Sequence, residues 1–206
     1  MKIEAVVFDI GNVLIEWQPE KFYDREIGVT ARKGLFCDVD LHAMNDAVDR
    51  GGDFRATIYA TADMYPKHSD AIRMWHDRWL ELARPVIPRS VRLMRALRKR
   101  GVPVFALTNF GIGSFALART EYDFLSEFDR PYVSGHMGVI KPDPQIYQMV
   151  EDDSAIAPGA LLFTDDRLDN IAAAAERGWR THLFDGPEGW AARLVAEGLL
   201  NTADAA

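Results

Sequence analysis

Cysteine is nearly absent: Cys37 is the only one in 206 residues, so no intrachain disulfide can form. That scarcity fits a reducing compartment, and a cytoplasmic location is the expectation. No apolar run reaches the ~20 residues that cross a bilayer. The apolar stretch after Lys2 is interrupted by Glu4 and Asp9 and has no small-residue cleavage site after it, so it reads as a buried strand and not an export signal. Positive charge is short as well, with 24 Lys and Arg against 31 Asp and Glu and a formal net charge of −7. That balance opposes non-specific attraction to nucleic acid or an anionic membrane, and neither is expected as a partner. His42, His68, His76, His136 and His182 are scattered without metal-ligand spacing and read as surface or packing residues. Gly111-Ile112-Gly113 lacks the third glycine of a dinucleotide fingerprint. There is no internal repeat and no low-complexity tract.

What is present is an ordinary globular composition, 48% hydrophobic and 27% charged. A chain of this length buries roughly 70% of its unfolded surface, enough for a core without staples. A monomer or small homo-oligomer is expected.

Three short segments share one pattern. Ala5-Val6-Val7-Phe8 runs into Asp9, Val104-Phe105-Ala106-Leu107 into Thr108-Asn109, and Leu161-Leu162-Phe163 into Thr164-Asp165-Asp166. Each is continuously apolar, too short for a helix and rich in β-branched or aromatic residues, as in a strand covered on both faces. Thr181-His182-Leu183-Phe184 is a fourth candidate. Between them, helices are expected over residues 90–100 (Ser90 as N-cap, Gly101 as stop), 144–150 and 168–177. The alternation predicts an α/β fold with a doubly wound, Rossmann-type parallel sheet.

Residues 17–88 interrupt that alternation with helical patterns and no convincing strand. Residues 53–65, capped by Asp53, and 69–83, with Ile72, Trp75, Trp79 and Leu82 at amphipathic spacing, are its helix candidates. Trp75 and Trp79 read as core of this insert. Glu16, Trp17 and residues 45–50 are candidates to face a site from it. The expected division is a core of residues 1–16 and 89–206 with a small α-helical cap, 17–88, inserted after the first strand. Residues 201–206 are expected to fray.

Ligands of open α/β sheets bind beyond the carboxyl ends of the strands. There the pattern gathers Asp9, Thr108 and the Asp165-Asp166 pair, with Lys141 entering from Gly138-Val139-Ile140-Lys141-Pro142. Clustered carboxylates repel unless a cation joins them, and oxygen-only donors suit Mg²⁺ together with a phosphate. Taken singly, these residues also serve as turn and helix caps or as a solvated lysine.

Phe8-Asp9-Ile10-Gly11-Asn12-Val13-Leu14, Leu107-Thr108-Asn109, Lys141-Pro142-Asp143 and Asp165-Asp166 with Asn170 resemble, in order and spacing, the four motifs of the haloacid dehalogenase-like hydrolases. The details are most similar to a subgroup of small sugar-phosphate phosphatases that includes a glucose-1-phosphate phosphatase. The resemblance implies a Mg²⁺-dependent phosphatase acting on a small phosphomonoester, a sugar phosphate favoured, through an aspartyl-phosphate on Asp9. It implies Thr108, with Gly11, Asn109 and Lys141, as phosphate-binding. It implies Asp9, the Gly11 carbonyl and Asp166 as metal ligands, with Asp165 and Asn170 supporting them.

One departure stands out. Most phosphatases of this superfamily carry an aspartate two residues after the nucleophile to protonate the leaving group, and here that residue is Gly11. General acid–base help is worth about 10²–10⁴-fold. A substrate with a good leaving group, such as an anomeric sugar phosphate or an acyl phosphate, is therefore expected. The alternatives are a 2-haloacid dehalogenase using Asp9 on carbon, which leaves the Asp165-Asp166 pair unexplained, and a non-catalytic binding protein that keeps the fold.

Overall fold

The computed structural model describes residues 2–205. In chain order its strands are β1 (Ala5–Phe8), β2 (Ile15–Trp17), β3 (Ala83–Val86), β4 (Val104–Thr108), β5 (Arg130–Val133), β6 (Leu161–Asp165) and β7 (Arg180–Leu183). Its helices are α1 (Pro19–Ile27), α2 (Val29–Asp38), α3 (Leu41–Asp49), α4 (Phe54–Met64), α5 (Ser69–Asp77), α6 (Trp79–Leu82), α7 (Pro88–Lys99), α8 (Ile112–Glu121), α9 (Ser134–Met137), α10 (Pro144–Ser154), α11 (Leu168–Glu176) and α12 (Pro187–Ala196). Among the described residues no helix is long and apolar enough to cross a membrane.

The main sheet is parallel throughout, in the order β5-β4-β1-β6-β7. It is the expected doubly wound α/β architecture. β1 is central and every one of its residues is fully buried. Val6 and Phe8 face one core with α7, α8 and α12, while Ala5 and Val7 face the other with α10 and α11. Burial on both faces is why these strands read as unbroken apolar runs and not as alternating ones. The chain leaves β1 for β4 and β5 on one side and returns to β6 and β7 on the other, so the reversal of direction falls beside β1.

The edge strand β5 was not foreseen. Its Arg130 and Pro131 are exposed, and only Tyr132 and Val133 are buried. Proline is tolerated there because an edge strand does not need every amide in the ladder.

Between β1 and β4 the helices α1–α6 form a block. The expected helix over 53–65 is α4, with the Asp53 carboxylate accepting from the Ala56 amide at 2.7 Å, a cap worth about 1 kcal/mol. The single helix expected over 69–83 is instead two, because Arg78 leaves helical geometry at φ −127°. The block is also not free of strands: β2 and β3 pair antiparallel where the chain leaves and re-enters the sheet layer. They are three and four residues long, too short for periodicity to reveal.

Two other expectations are corrected. The helix over 90–100 begins earlier, as α7, because Pro88 brings a φ suited to the first turn. Ser90 therefore lies inside the helix, fully buried, and is not its cap. Gly101, at φ +73°, does end it. The tail does not fray within the described residues: Arg89 donates to the Ala205 carbonyl at 3.2 Å, Arg100 Nε pairs with Asp204 at 2.6 Å, and Ala205 is buried. Ala206 lies outside the described residues.

The helical block is pressed onto the sheet layer at Gly111, and beneath it two segments of the sheet layer meet at Gly135. A Cβ on Gly111 would sit 2.4 Å from Val48 Cγ1, and one on Gly135 would sit 2.8 Å from the Ile112 nitrogen and 2.9 Å from the Phe110 carbonyl oxygen. The Gly111-Ile112-Gly113 glycines thus serve close packing. Gly135→Ala meets backbone atoms that cannot swing aside, and we expect it to cost about 1–3 kcal/mol. Urea unfolding measures this; a loss below about 0.5 kcal/mol would show that the approach of Gly135 to residues 110–112 is looser than drawn.

Candidate functional site

Sheet register brings the site together. Phe8 pairs with Ala106 on β4 and Thr164 on β6, and the Asp9 amide donates to the Thr164 carbonyl at 2.9 Å. Asp9, Thr108 and Asp165 therefore arrive at the same carboxyl edge on three neighbouring strands. Lys141 reaches them from the segment between α9 and α10, with Nζ 2.9 Å from Asp9 Oδ1 and 2.7 Å from Asp165 Oδ2, and also donates to the Leu107 carbonyl at 2.8 Å. Its loop is clamped by Asn109, whose side chain donates to the Lys141 carbonyl at 2.9 Å and accepts from the Lys141 amide at 2.8 Å. Both ends of the Asn109 amide are thus engaged in placing Lys141.

The adjacent acids differ in their surroundings. Asp165 is fully buried and held by Lys141, by Asn170 Nδ2 at 3.0 Å to each oxygen, and by the Arg167 amide at 2.8 Å. Asp166 is half-buried and accepts from Asn12 Nδ2 at 2.9 Å. Asn12 is a site neighbour to which sequence reasoning gave no role. Its φ of +53° and its bond from the Trp17 amide turn the strand-to-β2 segment back over Asp166. An asparagine after glycine was the available signal, since Asn tolerates the left-handed region.

Carboxylate oxygens from Asp9, Asp165 and Asp166 all lie within 4.8 Å of one another. With Lys141 as their ammonium, the cluster carries two excess negative charges when all three acids are ionised. The cost shows in the acids. Burial pushes Asp9 up to about 7 even though Lys141 pulls the other way, with Asp165 and Asp166 adding to the rise. Burial also raises Asp166, opposed by its bond from Asn12. Lys141 is held above its usual range: burial works to discharge it, and Asp165 and Asp9 more than offset that. A divalent cation would cancel the excess, and the oxygen-only donors fit Mg²⁺.

Above the cluster lies a cavity of about 260 Å³. Asp9, Gly11, Thr108, Asn109, Lys141, Asp166 and Asn170 line its sheet side. Glu16, Trp17, Asn45, Asp46 and Asp49 line it from β2 and the helical block, and Arg50 lines an adjoining hollow. Trp75 and Trp79 are core residues of the block, 1% and 4% exposed, yet each also contributes to the cavity wall. Trp17, Trp79 and Phe110 form a chain of ring contacts there, at centroid distances of 5.8 and 5.1 Å. Of the five histidines, His42 reaches the wall; His68 and His76 bond to Asp38 and Asp77, and His182 packs on Trp190.

Residues 3–178 match the family described as haloacid dehalogenase-like hydrolase. The chain belongs to that family. Among curated relatives of these hydrolases, a sesquiterpene phosphatase from Aspergillus oryzae is 31% identical, over 88% of this chain and 90% of its own length. A D-ribitol-5-phosphate phosphatase from Bacteroides thetaiotaomicron is 26% identical, over 94% and 97%. A drimenol cyclase from Aspergillus calidoustus is matched at 32% identity over 39% of this chain, which is only 15% of that protein. Among solved structures, a HAD family enzyme from Bacteroides thetaiotaomicron superposes with a TM-score of 0.74 at 22% identity, over 94% of this chain and 99% of its own. At that identity the likeness speaks for the fold.

Two outcomes are expected at this cluster. Lys141→Met leaves two buried carboxylates without their cation and should cost about 3–5 kcal/mol in urea unfolding; a loss below about 1 kcal/mol would mean that the triad is solvated. The second concerns Mg²⁺. Asp9 in the fold titrates at about 7, above its ordinary 3.8, so its ionisation weighs against the fold progressively between those values and fully above them. Mg²⁺ should therefore raise Tm more at about pH 8 than at about pH 5, where protons compete for Asp9. An equal rise at both would remove Asp9 from the metal's ligands.

Proposed function

We propose that this hydrolase is a magnesium-dependent phosphatase that cleaves a small phosphomonoester through an aspartyl-phosphate on Asp9. The observation that carries the proposal is the Lys141 ammonium lying between Asp9 and Asp165, with Asp166 alongside, where Asp9, Lys141 and Asp166 line a cavity. A lone acid would suffice for attack on carbon; three acids around one lysine call for a metal and an anion. The names of the phosphatase relatives support the same reading.

The steps fall to this chain's own residues. Asp9 attacks phosphorus, which divides one displacement into two easier ones. Lys141 sets its charge against both the nucleophile and the transferring group, and Thr108 holds a phosphoryl oxygen. Asn109 and Asp165 keep Lys141 in place from its two ends. Asp9, the Gly11 carbonyl and Asp166 would hold Mg²⁺, with Asn12 and Asn170 orienting the acids. When bound there, the ion supplies positive charge against the phosphate and relieves the repulsion among the carboxylates.

Residues 17–88 act as a cap on the core of residues 1–16 and 89–206, with β2 and β3 as its stem. The cap contributes Trp17, Trp75 and Trp79, so the organic part of the substrate meets ring faces. The C–H face of a sugar suits such a wall, and so does the chain of an apolar alcohol. The Glu16, Asn45 and Asp46 side chains on the same wall favour the sugar phosphate.

Purified protein should release phosphate from sugar phosphates in Mg²⁺, lose that activity in EDTA, and lose at least about 10³-fold with Asp9→Asn. Release that survives Asp9→Asn would remove the covalent route. No release from any sugar, isoprenoid or acyl phosphate, with halide release from 2-haloacids, would hand the site to carbon chemistry.

A further inference from the structure

We propose that Asp49, at the end of α3, is the proton donor and acceptor that the Gly11 position lacks. This rests on the phosphatase reading and adds to it the group that serves the leaving oxygen. Three carboxyls line the cavity outside the Asp9-Asp165-Asp166 cluster: Glu16, Asp46 and Asp49. Glu16 and Asp46 are partly open to solvent, whereas Asp49 is 6% exposed.

Asp49 is also held in place. Its Oδ2 accepts from Asn45 Nδ2 at 2.7 Å, and Asn45 accepts in turn from the Trp75 indole at 3.1 Å. Its own carbonyl accepts from Ser134 Oγ at 2.7 Å, and Ser134 Oγ accepts from the Phe110 amide at 2.8 Å. A Cβ on Gly51, at φ +102°, would lie 2.8 Å from the Gly135 carbonyl oxygen, so the end of α3 rests directly on the core. A carboxyl that merely latched two layers together would be expected to find a cation. Among the described residues Asp49 is in no ion pair. Burial pushes it up to about 7, Asp46 adds to this, bonds from the Gly111 amide and Asn45 oppose it, and Asp9 adds a little more. It can thus lend and take back a proton near neutrality, as an acid–base group must.

The chemistry balances. As the Asp9 oxygen bonds to phosphorus, the bond from phosphorus to the leaving oxygen breaks, and that oxygen takes the Asp49 proton. The Asp49 carboxylate then accepts a proton from the water that attacks the aspartyl-phosphate, freeing Asp9 and inorganic phosphate and restoring the acid. With such a donor the enzyme is not confined to substrates with good leaving groups. Alkyl phosphates, whose departing alkoxide needs a proton, become accessible.

The test compares kcat/KM, which reports the first displacement, for a sugar 6-phosphate and for p-nitrophenyl phosphate in Mg²⁺. Asp49→Asn should lose at least about 100-fold on the former and under about 10-fold on the latter, whose leaving group departs unprotonated. For the wild type the sugar phosphate profile should fall above pH 7, and the variant should lack that limb. The groups that share the surroundings are Asp46 and His42 on α3, and Asp9, Lys141 and Asp166 on the core side, and these remain in the variant. An equal loss on both substrates, or no loss on either, overturns the proposal and leaves the phosphatase reading intact. Failure of the wild type on every phosphate ester overturns both. Should Asp49→Asn not fold, a series of aryl phosphates on the wild type decides: a weak dependence on leaving-group pKa supports a donor, and a steep one overturns it.

Discussion

The structure depends above all on one buried ammonium. Lys141 has almost no contact with water, and a lysine in that position is stable only where nearby charge repays its lost hydration. Asp9 and Asp165 supply that charge, and they stand on adjacent strands. The requirement therefore reaches well beyond the triad. β1 and β6 must be in the register that aligns Asp9 with Asp165, and the loop before α10 must enter at one angle, which Asn109 and the Leu107 carbonyl fix from the end of β4. Three strand ends and one loop answer to a single cation.

The same arrangement separates two neighbouring acids into different tasks. Both Asp165 oxygens are engaged by Lys141, Asn170 and the Arg167 amide, so its charge is spent within the fold. Asp166, one residue on, is half-buried, and Asp9 remains expensive to ionise despite its lysine. A cluster designed only for stability would not leave that repulsion standing. The excess negative charge is a ready place for a hard cation, and binding one would relieve the repulsion among the three carboxylates.

How much of this could be read from the chain depends on how each part is specified. β1, β4 and β6 were legible because burial on both faces makes a strand announce itself in its own residues. β5 was not, since half of it is exposed Arg130 and Pro131, and β2 and β3 exist only as each other's partner. The positions of Asp9, Thr108, Lys141, Asp165 and Asp166 were legible because each sits at a strand end or beside a turn, where short-range rules hold, whereas Asn170, inside α11, was named only through the family resemblance. Residues 45–50 were expected near the site, but Asp49 could not be singled out. An acid on an amphipathic helix has the signature of a solvated face, and only the docking of α3 against Gly111 and Gly135 takes it out of water.

That docking also explains why the helical block and the sheet layer share one hydrophobic cluster, to which Val48 and Phe54 of the block and Phe110 and Phe115 of the sheet layer all belong. Here Gly51, Gly111 and Gly113 let the two layers approach to contact distance, and Ser134 Oγ bonds across the seam. The α3 wall is thus packed directly on the layer that carries Asp9. A group that must meet a leaving oxygen within a few tenths of an ångström can therefore sit on an insert far from the nucleophile in sequence. The β1 loop is then free to carry glycine where an acid usually stands.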